Sequence, residues 1–382
     1  MHYLSFIEHM SQKYNCNHIN YLVSGIDENI QSAILGDILM NNHLQNLIVI
    51  DDSGTFSSFN DLALIKRYGF EIKNGFSENY CLYNPFHLHS FIDITKIRQL
   101  FEIFEYDEAQ KGKLISYLNF IIHLEQLDKG TCNLDLNKLA EYSTILAVEK
   151  KIQKLVQQNV INNEQQIVLL SKYSECSSAG ADLENIFYNL LPFVSGEKAI
   201  QNEFKKVIVF PIYTFDDDQN TKKAVLQLLK YGFKSNMSFL ILDKGRGERK
   251  YISHFIETFP LDVDIHIFSN DIFTLVNEEM LNHILNRFIV KIYSKHLAMS
   301  SAQIIEKICG DIEIVKEEKS VTYDRRFFAN KPIDILFNKN KVESVVKMAP
   351  IREAKYRKEM IIKFPPGKGI IDFNGQTTLF SI

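Results

Sequence analysis

Six short apolar runs constrain this chain more than anything else in it: YLVSG from Tyr21, NLIVIDD from Asn46, CLYNPF from Cys81, KVIVFPIYTF from Lys206, MSFLILDKG from Met237 and VDIHIFS from Val263. They do not alternate apolar with polar, so neither face of such a strand is meant for water. Between several of them lie stretches of helical period, such as SAILGDILM, FNDLALIKRYG and NTKKAVLQLLKYG. Continuous apolar strands separated by helices predict an α/β fold, a mostly parallel sheet covered on both faces.

The pattern breaks between residues 94 and 200. ITKIRQLFEIFEYD places Ile94, Ile97, Leu100, Phe101 and Phe104 on one helical stripe, and the segments that follow repeat that style with Gly112 and Gly130 as punctuation. A helical insertion over 94–200 is expected, with strands resuming at 201. From about Lys316 short strands return, and residues 316–382 carry 14 Lys and Arg against 8 Asp and Glu, leaving about −10 on the rest of a chain whose total is −4. That total gives no whole-chain case for a nucleic-acid binder. Five scattered cysteines without a C-x-x-C pair fit reduced thiols, and no stretch nears the roughly 18 apolar residues of a spanning helix. A cytoplasmic chain is expected, touching membrane only through partners.

YLVSGIDENIQS begins as a phosphate-binding strand–loop–helix does. The pattern G-x-x-x-x-G-K-[ST] anchored on Gly25 puts its remaining fixed positions at 30, 31 and 32, where the chain has Ile30, Gln31 and Ser32. Asp27 and Glu28 would set carboxylates where phosphates lie. The usual magnesium partner is an apolar strand ending in acids; KVIVF is such an apolar run, but Pro211 and Ile212 follow it, and Asp216, Asp217 and Asp218 come late. Asp51 and Asp52 end another strand, where parallel sheets place ligands, and are candidates for a ribose or metal contact. His87 and His89 would share a strand face without a third ligand. In DKGRGERK, Lys244 and Arg246 are candidates for phosphate or nucleic acid, as are Arg357 and Lys358 in the basic tail.

The order of these pieces resembles that of the conjugative coupling proteins of type IV secretion systems, the TraD/TraG-type ATPases. In that family a phosphate loop, an acid-ended strand, an N-P motif, an all-helical insertion and a second apolar strand follow one another. YLVSGIDENIQS, NLIVIDDSG, CLYNPF, the helices of 94–200, KVIVFPIY and NRFIVKIYSKHLAMSSAQIIEKICG stand in the same order here, and the resemblance covers roughly 20–360. It implies a RecA-like, P-loop-type sheet with helices on both faces, interrupted by an all-α insertion. The units it implies are 1–93 and 201–315 for the α/β core, 94–200 for the insertion and 316–382 for C-terminal strands and basic tail.

It also implies a nucleotide and magnesium, and here the residues depart from it. Carried over by position, the second glycine is Ile30, the lysine Gln31, the acids Pro211 and Ile212, and the later glutamine falls near Asp243; only Ser32 is kept. The expectation is therefore a pseudo-ATPase with no catalytic residue, no ATP, no magnesium and no metal. Such a chain would serve as a structural or substrate-recruiting subunit, with the helical insertion as its recognition surface. Its partners would be other secretion or conjugation subunits, a catalytic paralogue among them, at the inner-membrane periphery. Two other classes stay open: an active NTPase with an unorthodox site, and a nucleic-acid binder without motor activity. Hexamers are the family's habit, and whether this chain self-associates is left open.

Overall fold

The computed structural model describes residues 19–40, 44–56, 62–78, 80–82, 93–101, 106–194, 198–199, 203–215, 218–232, 237–244, 250–259, 263–275, 278–296, 298–322 and 343–382. The chain opens with β1 (Tyr21–Ser24), α1 (Glu28–Met40), β2 (Asn46–Asp51), α2 (Leu62–Arg67), β3 (Glu71–Asn74) and β4 (Tyr80–Cys81). Six helices follow: α3 (Ile94–Phe101), α4 (Glu108–Lys129), α5 (Leu136–Glu141), α6 (Ile145–Gln157), α7 (Asn163–Cys176) and α8 (Ala179–Val194). Alternating elements then resume with β5 (Lys198–Ala199), β6 (Lys206–Phe210), α9 (Gln219–Tyr231), β7 (Met237–Asp243), α10 (Lys250–Thr258), β8 (Ile265–Ser269), α11 (Glu278–Arg287), β9 (Val290–Tyr293) and α12 (Met299–Cys309). The last elements are β10 (Asp311–Thr322), β11 (Glu343–Ala354), α13 (Lys358–Ile362), β12 (Lys368–Phe373) and β13 (Gln376–Ser381).

Nine strands form one sheet in the order β13-β12-β9-β1-β8-β7-β2-β6-β3. Every pairing from β9 to β3 is parallel, and β12 and β13 add an antiparallel edge. Successive residues of a strand point to opposite faces, so a strand buried on both sides feeds two cores. Leu22, Ile48, Ile50 and Ile241 enter one, where Phe239, Phe255 and Phe259 stack edge to face; Tyr21, Val23, Val49 and Leu240 enter the other with Ile34 and Leu35 of α1. Unbroken apolar runs therefore mark this sheet. In the tail, β12 and β13 extend the main sheet beyond β9, while among the described residues β10 and β11 pair with each other over twelve positions.

Among these helices, α4 and α7 start where their sequences instruct. Asp107 and Gln110 form a reciprocal capping box at the head of α4, as Asn162 and Gln165 do for α7, and Gly130 ends α4 at φ 68°. Glu125 is buried on α4 and accepts hydrogen bonds from Tyr142 and from Lys129 and Lys151, each at 3.0 Å. Burial opposes the charge on Glu125, but Tyr142 and the two ammonium groups outweigh it and bring its carboxyl down to about 2. No described helix is long and apolar enough to cross a membrane.

Candidate functional site

Parallel sheets receive ligands beyond the C-terminal ends of their strands, at the point where the strand order reverses. Here that point is β1, flanked by β8 and β9, and the loop leaving β1 is short. Helix α1 already begins at Glu28, so only Gly25, Ile26 and Asp27 connect it to the strand, whereas a phosphate loop keeps its helix until the G-K-[ST] positions. The Gly25 N–H donates to the Ser269 carbonyl at 2.9 Å and the Ile26 N–H to the Lys295 carbonyl at 3.1 Å. These amides are thus bonded to neighbouring strand ends, not turned inward around a cavity.

The head of α1 carries its own anion. One Asp27 carboxylate oxygen accepts the N–H groups of Asn29 (3.1 Å) and Ile30 (3.3 Å), and the other accepts the Gly367 N–H at 2.6 Å. Negative charge at a helix N-terminus is stabilising, and here a carboxylate supplies it. Ile30 is wholly buried in the core, and the Gln31 amide reaches back to the Gly25 carbonyl at 3.3 Å. Gly25, at φ 125°, is required for another reason: a Cβ there would lie 2.1 Å from Ser294 Oγ and 2.9 Å from the Lys295 carbonyl. Ser32 lies half-buried on α1.

Beside the loop lies a polar network. His296 is wholly buried; its Nδ1 donates to the Ser294 carbonyl at 2.8 Å, which leaves Nε2 to accept the Ser24 hydroxyl at 2.8 Å. Ser24 Oγ in turn accepts the Ile272 N–H at 3.1 Å. Burial draws the His296 pKa down, against the Ser294 carbonyl and the Asp271 charge, so this tautomer persists at neutral pH. Sequence reasoning passed over His296, because nothing in YSKHLAMSS signals that its strand returns beside β1.

Sheet order corrects the expected position of the acid-ended strand. β6 lies four strands from β1, about 19 Å at ordinary spacing, so neither Pro211 nor the buried Ile212 is placed to serve the loop. Asp218 caps α9 through the Thr221 N–H at 3.0 Å; Asp216 and Asp217 lie outside the described residues. Two strands from β1 instead stands β7, whose last residue, Asp243, accepts the Ser269 hydroxyl at 2.7 Å. Asp243, Ser269 and Ser24 are register partners, a polar row across the ends of β7, β8 and β1. The run FLILD carried this signal, but strand order was needed to use it.

The other candidates are placed as follows. Asp51 holds the turn after β2, accepting the N–H groups of Ser53 (3.0 Å), Gly54 (2.7 Å) and Phe56 (3.3 Å) and the Ser53 hydroxyl at 2.7 Å. Asp52 is buried, bonded to the Lys222 ammonium at 2.8 Å and to the Tyr251 hydroxyl. Lys244 lies half-buried near Gly54 at that end of the sheet, whereas Arg357 is exposed ahead of α13 and pairs with Glu353 at 2.8 Å. The Lys358 N–H donates to Glu306 at 3.3 Å. Arg246, His87 and His89 lie outside the described residues, among which no group of three metal-binding side chains occurs.

Strand order, crossover helices and the strand–loop–helix at β1 define the class: a RecA-like, P-loop-type α/β fold with a mostly parallel sheet. Solved structures bear out the particular resemblance at the level of fold. The bacterial conjugative coupling protein TrwBdeltaN70, in its unbound monoclinic form, superposes with a TM-score of 0.50 at 9% identity over 95% of this chain and 84% of that one. VirB4 of Thermoanaerobacter pseudethanolicus gives 0.52 at 11% identity over 95% of this chain and 89% of its own. No family model and no curated protein matches the sequence.

Proposed function

We propose that this chain is a nucleotide-free counterpart of the conjugative coupling ATPases, acting as a structural or substrate-recruiting subunit beside other secretion or conjugation components. The observation that carries the reading is Asp27: its carboxylate engages the amides at the head of α1, where an ATPase of this fold would hold phosphate. A bound phosphate would face that carboxylate at a few ångströms, at a cost of about 1–4 kcal/mol per charge pair. Gln31 offers no compensating cation. Calorimetry with ATP and magnesium should give no heat of binding; a saturable micromolar isotherm would overturn the reading.

Recruitment falls to the helices. A groove of about 710 Å³ runs between α4 and α7, lined by Lys113, His123, Lys172 and Glu175 around Ala109 and Gly112. Ile167 and Val168 are exposed on α7 itself.

One observation favours a second reading. Asp243 ends a strand two places from β1, a position from which an acid could hold a metal. An ATPase of that kind would turn over ATP and lose turnover in Asp243→Ala. The nucleic-acid reading through Arg357 and Lys358 predicts salt-sensitive DNA binding that charge reversal at both positions weakens.

A further inference from the structure

The groove between α4 and α7 has a shape that narrows what can lie in it. Its α4 wall runs from Ala109 to His123 on one face of the helix, at spacings of three and four. At 1.5 Å per residue that wall is about 21 Å long. The floor is apolar and fixed: Phe120 and Cys176 are 6% and 4% exposed, and the Phe120 ring stacks on Tyr173 at 5.6 Å. Gly112 opens the wall, because a Cβ there would meet nothing within 4 Å. Val168, 54% exposed, stands one turn before Lys172 on α7 and prolongs the apolar track.

The rim carries the charge. The Lys113 and Lys172 ammonium groups have no hydrogen-bond or ion-pair partner among the described residues, and Glu175 is the single acid lining the groove. His123 adds an N–H donor in either tautomer. Two ammonium groups against one carboxylate leave the groove positive on a chain whose total is −4. An acidic ligand held here is therefore held by local charge, against the net charge of the whole molecule.

Away from the ends of α4 and α7, main-chain N–H and C=O groups are bonded within each helix. An extended peptide would find no partner for its own backbone there, whereas a helix brings its backbone already satisfied. Nucleic acid fits less well. Its phosphates would gain two cations but meet Glu175, and the Phe120 and Cys176 floor bonds no phosphate.

We propose that the groove binds an amphipathic helix of a partner protein, about four turns long. Its apolar face lies on Phe120, Cys176 and Val168, and acidic residues on its flanks reach Lys113 and Lys172. Such binding rests on the recruiting role of the helices and not on the state of the loop at β1. ATP calorimetry and peptide titration therefore fail separately.

Two end-capped helical peptides of about 18 residues test it on the full chain by fluorescence anisotropy. One carries a leucine stripe flanked by glutamates, and the other has those glutamates replaced by lysines. The acidic peptide should saturate with a dissociation constant of about 10–100 μM, and the basic one should bind at least about tenfold more weakly. The double variant Lys113→Glu/Lys172→Glu should reverse that preference. Gly112→Leu alters no charge and favours the helix, so it should keep the fold, fill the groove and weaken the acidic peptide about tenfold. Equal binding of the two peptides, an unchanged affinity in Gly112→Leu, or displacement of the acidic peptide by an equal concentration of oligo-dT would overturn the proposal. A dimer that Gly112→Leu converts to monomer in sedimentation would assign the groove to a second copy and overturn it as well.

Discussion

The Asp27 carboxylate accepts the Gly367 N–H at 2.6 Å, joining the head of the first helix to the turn before β12 across 340 positions. One side chain thus caps α1 and anchors the antiparallel edge of the sheet. Asp27→Ala removes the cap and strands a buried amide, and should destabilise by about 2–4 kcal/mol. Asp27→Asn, which still caps, should lose about half as much. Urea unfolding of the two variants checks the difference; equal losses would mean that the charge, not the geometry, matters.

At the end of β2, Asp52 is buried against Lys222 and Tyr251. Removing one partner leaves an uncompensated buried charge, so Lys222→Met should destabilise by about 3–5 kcal/mol. The double variant Asp52→Leu/Lys222→Met should recover part of that loss, since no unpaired charge is then left buried while the Tyr251 hydroxyl loses this acceptor. A double-mutant cycle in guanidinium measures the coupling.

Gly25→Ala meets two obstacles, the left-handed φ of 125° and the close Ser294 and Lys295 atoms. The expected loss is about 2 kcal/mol or more. Adding Ser294→Ala removes the nearer clash only, so thermal melts should show partial recovery at best.

Glu125 gives the helical region a pH signature. Its carboxyl is held at about 2, below the usual 4.5. The folded state is therefore stabilised above 4.5, and the contribution fades as pH falls toward 2. Urea midpoints measured from about pH 5 to pH 2 should drop in the wild type and drop less in Glu125→Gln.

Much of this fold was legible in the chain because burial on both faces writes itself as unbroken apolar runs. YLVS, NLIVID, KVIVF, MSFLILD and IHIFS are all strands of the main sheet. In the gap in that pattern, the described residues between Ile94 and Val194 form six helices. Ile30 and Gln31, which depart from the phosphate-loop pattern, are both buried on α1. Neighbour relations were not legible. KVIVF and FLILD look alike as strings, and only the crossovers place the second nearer β1. His296, Gly367 and Lys222 are distant in sequence from Ser24, Asp27 and Asp52, so no local spacing could nominate them. The edge formed by β12 and β13 escaped for the same reason.

The placement of β1 has a consequence for how the molecule is made. Leu22 pairs with Ile267 and Val23 with Ile292, so the first described strand lies between two that emerge from the ribosome 245 and 269 residues later. Until then its two hydrogen-bonding edges have no permanent neighbours, and contacts of such sequence separation form slowly. A chaperone that shields residues 20–24 during synthesis would speed the yield of folded protein more than any change to the helices, whose partners arrive within a few dozen residues.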